Sequence, residues 1–267
     1  MRNLLLLIFL LGWLVLPPGH TIAQEATSIL AINGVDFVLV PAGPFTMGSD
    51  TGSADERPVH TVTLPDYYIM RTEVTIAQYD QLVQATGRSR PNTSGRGPTH
   101  PVRWVDVSDA TAYCTWLGQG GAFTTRLPTE AEWEKAARGT DGRVYPWGNL
   151  IDRSRANYGA EGECCSGDAS DGYADTAPVG SFPSGASPYG ALDLAGNVWE
   201  WTSSLHWPYP YVATDGRENS SASGDRVLRG GSFYNSASNV RSALRSFARP
   251  AWRNNGVGFR CVALESQ

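Results

Sequence analysis

The apolar positions of this chain fall into one long run and many short ones. Residues 4–16 contain no charged or polar side chain; Arg2 precedes them, Pro17 and Pro18 follow, and Thr21-Ile22-Ala23 supplies small residues beyond. A charged start, an apolar stretch too short to span a bilayer and a small-residue cleavage site predict a secretory leader over residues 1–23. Residues 24–267 are then expected to form one domain. No second apolar run of spanning length follows, so the mature chain is expected to lack a membrane span and to be secreted or periplasmic.

Helical periodicity recurs in three places. Thr75-Ile76-Ala77-Gln78 has the form of a capping box, with Tyr79, Leu82 and Val83 at helical spacing and Gly87 as the stop. Ser108 is expected to cap a second helix carrying Ala112, Tyr113 and Trp116 and ending near Gly118. Thr129-Glu130-Ala131-Glu132 opens a third, with Trp133, Ala136 and Ala137 on one side and Gly139 beyond its end. Acids in its first turn, and Lys135 and Arg138 later, suit the helix dipole. Residues 36–40, 59–64, 67–70, 226–228 and 257–264 have the β-branched or aromatic content of strands. This order predicts an α+β fold rather than alternating βαβ units. Residues 139–192 show almost no periodicity, and a loop region that long needs something to hold it.

Composition sharpens the picture. The 29 glycines and 17 prolines are spread along the chain, as are 9 tryptophans, 11 tyrosines and 8 phenylalanines, which predicts a loop-rich domain with an aromatic core. The net charge is −5 and no polybasic run occurs, so nucleic acid and anionic membrane are not expected partners. Of the 21 basic residues only Lys135 is a lysine, so an arginine here need not signal guanidinium chemistry. The cysteines are Cys114, Cys164, Cys165 and Cys261; in an exported chain they are disulfide candidates first, with three pairings open.

Two loops carry the oxygen donors of a hard-cation site: residues 157–173, and Asp193-Leu-Ala-Gly-Asn-Val-Trp-Glu200. The first lacks EF-hand spacing, but calcium accepts loop carbonyls and carboxylates together. The alternative for each is a solvated acidic turn. The segment from Arg229 to Arg249 presents a Gly-Gly-Ser corner, with no cysteine, histidine or acid. Ser232, Tyr234 and Asn235 offer it hydrogen bonds, while Arg229, Arg241 and Arg245 offer charge to an acidic ligand. The alternative is that these arginines pair with internal acids.

Residues 126–139 (RLPTEAEWEKAARG), YPWGN at 145–149, APVGSFP at 177–183, GALDLAGNVWEWTSS at 190–204, RVLRGGSF at 226–233 and GFRC at 258–261 occur in one order. Together they resemble the formylglycine-generating enzyme, or sulfatase-modifying-factor, family over nearly all of the mature chain. The resemblance implies a mixed α/β domain, low in regular structure and related to C-type lectins. It also implies two structural calcium ions. One falls on the Asn157 side chain, the Tyr158 carbonyl, the Asp171 side chain and the Tyr173 carbonyl; the other on Asp193, the carbonyls of Gly196 and Val198, and Glu200. A Cys114–Cys261 disulfide is implied as well. Cys164 and Cys165 are left as a vicinal disulfide, two free thiols or an intermolecular link.

The enzymes that name the family carry two copper(I)-binding cysteines after the Gly-Gly-Ser corner. Here Asn235 stands at the first of those positions, and no cysteine occurs between Ser232 and Cys261. Copper is therefore not expected, and three functions stay open. The first is a calcium-stabilised structural or binding module for a peptide, glycan or small molecule. The second is an enzyme of different chemistry in the same cleft, resembling the periplasmic member that oxidises a siderophore chromophore in pyoverdine maturation. Its general base would come from His60, His100, His206 or Glu200. The third is formylglycine generation with Cys164 and Cys165 replacing the missing pair.

Overall fold

The computed structural model describes residues 29–93, 95–161 and 166–266; the expected leader, Cys164 and Cys165 lie outside them. In chain order the strands are β1 (Ile29–Ile32), β2 (Val35–Val40), β3 (Gly43–Met47), β4 (His60–Leu64) and β5 (Tyr67–Met70). Helices α1 (Ile76–Thr86) and α2 (Val107–Leu117) follow, then β6 (Phe123–Arg126) and α3 (Glu130–Arg138). Last come β7 (Trp199–Leu205), β8 (Arg226–Arg229), β9 (Ser246–Ala248), β10 (Val257–Gly258) and β11 (Val262–Glu265). Apart from β6, the helices fall between a leading run and a closing run of strands, the order of an α+β fold.

The strands form an antiparallel five-stranded sheet of order β1-β2-β5-β11-β6, a four-stranded sheet of order β10-β7-β8-β9 and a β3-β4 hairpin. One expected strand, residues 257–264, is divided between the two larger sheets. β10 lies parallel to β7, and β11 sits between β5 and β6. The switch occurs at Arg260, which is fully buried and anchored on Glu200, Met70 O and Leu192 O. The same crossover carries the Cys114–Cys261 disulfide, whose Cα atoms are 5.6 Å apart and which ties α2 to the start of β11.

Local chemistry sets the helix ends. Thr75 accepts from Gln78 N at 3.2 Å while Gln78 Oε1 accepts from Thr75 N at 2.9 Å, and Gly87 ends α1 at φ 70°. Thr129 and Glu132 make the same reciprocal pair at α3. The start of α2 differs from expectation: Asp106, not Ser108, is the cap, because its carboxylate accepts from Asp109 N at 2.9 Å. An aspartate at that site both caps and favours the helix dipole.

Between Gly139 and Leu192 the described residues contain only two short 3₁₀ turns, 169–171 and 183–185. Arginines hold much of the loop. Arg153 donates to the carbonyls of Tyr158 and Gly159 at 2.8 Å each, and Arg155 reaches Ser184 O at 2.9 Å. A guanidinium with five donors suits carbonyls that no ladder satisfies.

Candidate functional site

The Gly-Gly-Ser corner works through what its glycines lack. Gly230 and Gly231 have φ of 94° and 74°, in the left-handed region. A Cβ on Gly230 would stand 3.1 Å from the Trp133 ring, and one on Gly231 2.6 Å from Val240 Cγ1 and 2.7 Å from Asn239 O. The chain therefore leaves β8 pressed against α3 and delivers Ser232 to Asn235. Asn235 Oδ1 accepts from Ser232 Oγ at 2.6 Å, Trp199 Nε1 at 2.9 Å and Ser232 N at 3.1 Å. Tyr234 donates its hydroxyl to Asn254 Oδ1 at 2.8 Å. The sequence reading brought Ser232, Tyr234 and Asn235 together, and the structure keeps Ser232 and Asn235 in one cluster, bonded to each other.

The three arginines proposed for an acidic ligand are placed otherwise. Arg229 is wholly buried; it donates to Glu130 Oε1 at 2.7 Å, Glu134 Oε2 and the Tyr209 hydroxyl at 2.8 Å, and the carbonyls of Ser242 and Leu244. Arg245 grips both oxygens of Glu130 and donates to Asp55 O and Trp207 O. Arg241 forms a two-point bond with Glu56 at 2.6 and 2.9 Å. They serve as internal ties, the alternative raised for them above, because unladdered carbonyls and buried acids absorb their donors. Burial alone would raise the Glu130 pKa, but Arg229 and Arg245 together hold it below the usual carboxylate value.

The first cation loop contains two buried oxygens without a partner among the described residues, Asn157 Oδ1 and Asp171 Oδ2. Each is left over by design of its neighbours. Asn157 Nδ2 donates to Asp175 O at 2.9 Å, which turns Oδ1 away, and Asp171 Oδ1 already accepts from Tyr173 N at 2.9 Å. Burial pushes the Asp171 pKa up. Orphaned buried oxygens are costly unless something supplies positive charge, so this donor set fits a hard cation.

The second loop is built differently. Glu200 is engaged by Arg260 at 2.7 Å on each oxygen and by Trp133 Nε1 at 2.8 Å, leaving about one free lone-pair position. Asp193, at φ 59°, accepts from Gly180 N at 2.7 Å, and burial pushes its pKa up to about 6. Glu73, not singled out from sequence, joins them: it accepts from Asn197 Nδ2 and Val198 N, and burial followed by the charges of Asp193 and Glu200 drives its pKa well up. Three acids lie about two guanidiniums, Arg260 and Arg71, so negative charge is in excess when all three are ionised. The two loops touch, since Asn197 N donates to Asn157 O at 2.8 Å and a Cβ on Gly196 would meet that same oxygen at 1.9 Å.

Of the three candidate histidines, His60 and His100 are hydrogen-bonded within the fold, whereas the buried His206 Nε2 has no hydrogen-bond partner among the described residues. His60 Nε2 accepts from Tyr211 N while Nδ1 faces Pro58 O, both at 2.8 Å. His100 bonds Thr176 Oγ1 at 3.0 Å, and His206 stacks on Phe247 with ring centres 4.2 Å apart. The sequence reading missed Glu130 and Glu134 as partners of Arg229, and Glu73 and Arg260 as members of the network around Glu200. One signal was present for Arg260: a lone charge within Val257-Gly-Phe-Arg-Cys-Val-Ala263 must be paired if that run is core.

A loop-rich α+β body, cross-tied by buried guanidinium–carboxylate bonds around a Gly-Gly-Ser corner, is the class that this geometry defines. A model of the sulfatase-modifying factor enzyme 1-like domain matches residues 25–264, and the chain belongs to that family. The formylglycine-generating enzyme of Bos taurus is 30% identical over 310 residues, covering 92% of this chain and 80% of that protein. The hercynine oxygenase of Mycolicibacterium smegmatis is 33% identical over 273 residues, covering 84% of this chain and 60% of that protein. Among solved structures, PvdO from Pseudomonas aeruginosa superposes with a TM-score of 0.74 at 28% identity, covering 90% of this chain and 99% of that one.

Copper does not fit the corner as built. Soft thiolates hold copper(I), and Asn235 offers an amide oxygen that already accepts three hydrogen bonds. Cys114 and Cys261 are joined to each other and buried. Among the described residues no helix is long and apolar enough to cross a membrane.

Proposed function

We propose that this chain is an exported, calcium-stabilised member of its family that acts as a structural or binding module for a peptide, glycan or small molecule. The observation that carries this reading is the saturation of Asn235 Oδ1 by Ser232 and Trp199 at the position where the named enzymes have a copper cysteine. Calcium in the first loop is supported by the orphan oxygens of Asn157 and Asp171; the carbonyl of Tyr173 and that of Tyr158, which also accepts from Arg153, would complete the set. In the second loop Asp193, Glu200 and the carbonyls of Gly196 and Val198 would hold the other ion, supported by the excess of three acids over the arginines Arg260 and Arg71. A calcium ion there would offset negative charge and fix loops that have no ladder of their own.

A second reading is an enzyme of different chemistry in the same fold, such as one that oxidatively matures a secreted small molecule. It is favoured by the likeness to a protein named for the oxygenation of hercynine, which shows the family hosting more than one chemistry. Formylglycine generation would place the burden on Cys164 and Cys165.

One experiment tests the leading reading. Calcium, copper and iron are measured against protein in the purified mature chain, and melting is followed with and without a calcium chelator. Calcium near two per chain, no stoichiometric redox metal and a lower melting temperature in chelator are expected; at a free calcium 100 times its dissociation constant each site adds about 2.7 kcal/mol. Stoichiometric copper or iron, or oxidation of a Cys-x-Pro-x-Arg peptide, would overturn the leading reading. Asp171→Asn should lower the calcium count by one.

A further inference from the structure

A cavity of about 960 Å³ opens between the first turns of α2, the connection before α3, and the β7–β8 strands. Its volume is that of a small-molecule site. No residue of the Ser232–Asn235 corner and no proposed calcium ligand lines it. Val107, Leu127, Pro250 and Ala251 give it an apolar wall, and Glu218 places a carboxylate in it.

Glu218 is held by hydroxyl groups rather than by a guanidinium. Its Oε1 accepts from Ser204 Oγ at 2.5 Å and the Tyr211 hydroxyl at 2.9 Å, and its Oε2 accepts from Ser203 Oγ at 3.0 Å. Ser204 Oγ itself accepts from Glu130 N at 2.8 Å, so its proton is directed to Glu218. Three hydroxyls aimed at one carboxyl group suit the ionised form, which only accepts. Glu56, Glu130, Glu134 and Glu200 each have an arginine within salt-bridge distance. Glu218 makes no such pair among the described residues, although two arginines line the same cavity. Arg126 is spent on both oxygens of Glu132, and Arg226 on the carbonyls of Ser203, Asn219, Ser220 and Ala222. A carboxylate oriented by hydroxyls, beside an apolar wall and lacking an internal counter-ion, is a seat for an external one.

We propose that this cavity binds a primary ammonium ligand with an apolar body, Glu218 Oε2 accepting from the ammonium and the apolar wall covering the rest. The site is independent of the calcium reading and of the corner. The charged and titratable groups facing Glu218 are Glu132, Arg126, Arg226 and Tyr211; Arg126 and Glu132 largely cancel, and Asp106, the cavity's other carboxylate, is paired with Arg253. Burial holds the Glu218 pKa above the ordinary value despite the hydroxyls. Ammonium binding should therefore strengthen as pH rises through that value.

The probe is 4-phenylbutylamine, titrated by calorimetry and ligand-observed NMR into the full mature chain, with 4-phenylbutanol as its uncharged counterpart. At pH 7.5 the amine should bind at least tenfold more tightly than the alcohol, and this advantage should shrink at pH 4.5. Glu218→Gln should remove the amine's advantage while leaving alcohol binding unchanged. Thr111→Trp, on the exposed side of α2 at the cavity rim, should block both probes. An amine that binds no better than the alcohol, or equally well to Glu218→Gln, overturns the proposal. Binding that survives Thr111→Trp, or no binding by either probe, overturns it too.

Discussion

Replacing Arg229 by methionine tests whether the corner arginines are internal ties. Methionine fills much of the same volume but has no donor. The two carbonyls, Ser242 O and Leu244 O, lose donors at 3.0 and 3.1 Å, and the Tyr209 hydroxyl loses one at 2.8 Å. Glu130 keeps Arg245, and Glu134 keeps Arg138, so neither carboxylate is left wholly unpaired. Breaking one partner of a buried ion pair costs about 3–5 kcal/mol, and the surviving arginines argue for the middle of that range, about 4 kcal/mol. With an unfolding entropy of about 2.1 cal/mol/K per residue over about 240 residues, that is a fall of roughly 8 °C in melting temperature. Urea unfolding followed by far-UV and near-UV circular dichroism gives the free energy directly, provided the slope is unchanged. A Arg229→Met chain within about 1 kcal/mol of the parent would refute the argument and return Arg229 to the surface, as a ligand-facing charge.

Two further outcomes follow from the same wiring. Glu56 and Glu130 are held below the usual carboxylate value by Arg241 and by Arg229 with Arg245, so their contribution is complete above the unfolded pKa near 4.5 and is lost as pH falls through the lower folded values. Asp193, raised to about 6, has the opposite sign, so its ionised form weighs against folding as pH rises through 6. In chelator the melting temperature should rise slightly from pH 7 to about 5 and drop steeply below 4.5; a curve flat below 4.5 would contradict the network. Replacing Cys114 and Cys261 by alanine together opens a loop of 147 residues and should cost roughly 4–5 kcal/mol, and a double variant melting within 2 °C of the parent would show that α2 and β11 dock without it.

What the sequence revealed was chiefly local. The capping boxes at Thr75 and Thr129 are four-residue patterns whose partners are adjacent, and both formed. β7, Trp-Glu-Trp-Thr-Ser-Ser-Leu, escaped notice because it is buried on both faces except at Ser203, so no alternation marks it. β3 and β6 are short, and β3 carries Gly43 and Pro44, which weaken a strand signal. At the site, Ser232 and Asn235 were legible because they are three residues apart. The arginine partners were not: Glu130 reads as a first-turn helix acid, yet its carboxylate points inward to Arg229 and Arg245, 99 and 115 residues later. Charge alone does not show which face of a helix a glutamate will take.

The solitary lysine of the chain has a practical consequence. Lys135 is 1% exposed, with its ammonium donating to Pro41 O at 2.6 Å and Gly43 O at 3.0 Å. Amine-directed reagents will therefore find no lysine on the folded surface, and coupling to a bead or dye by that chemistry is confined to the chain's α-amino group. The same silence makes Lys135 a reporter: its acylation in a peptide map records the moments when α3 lifts from the β3 hairpin.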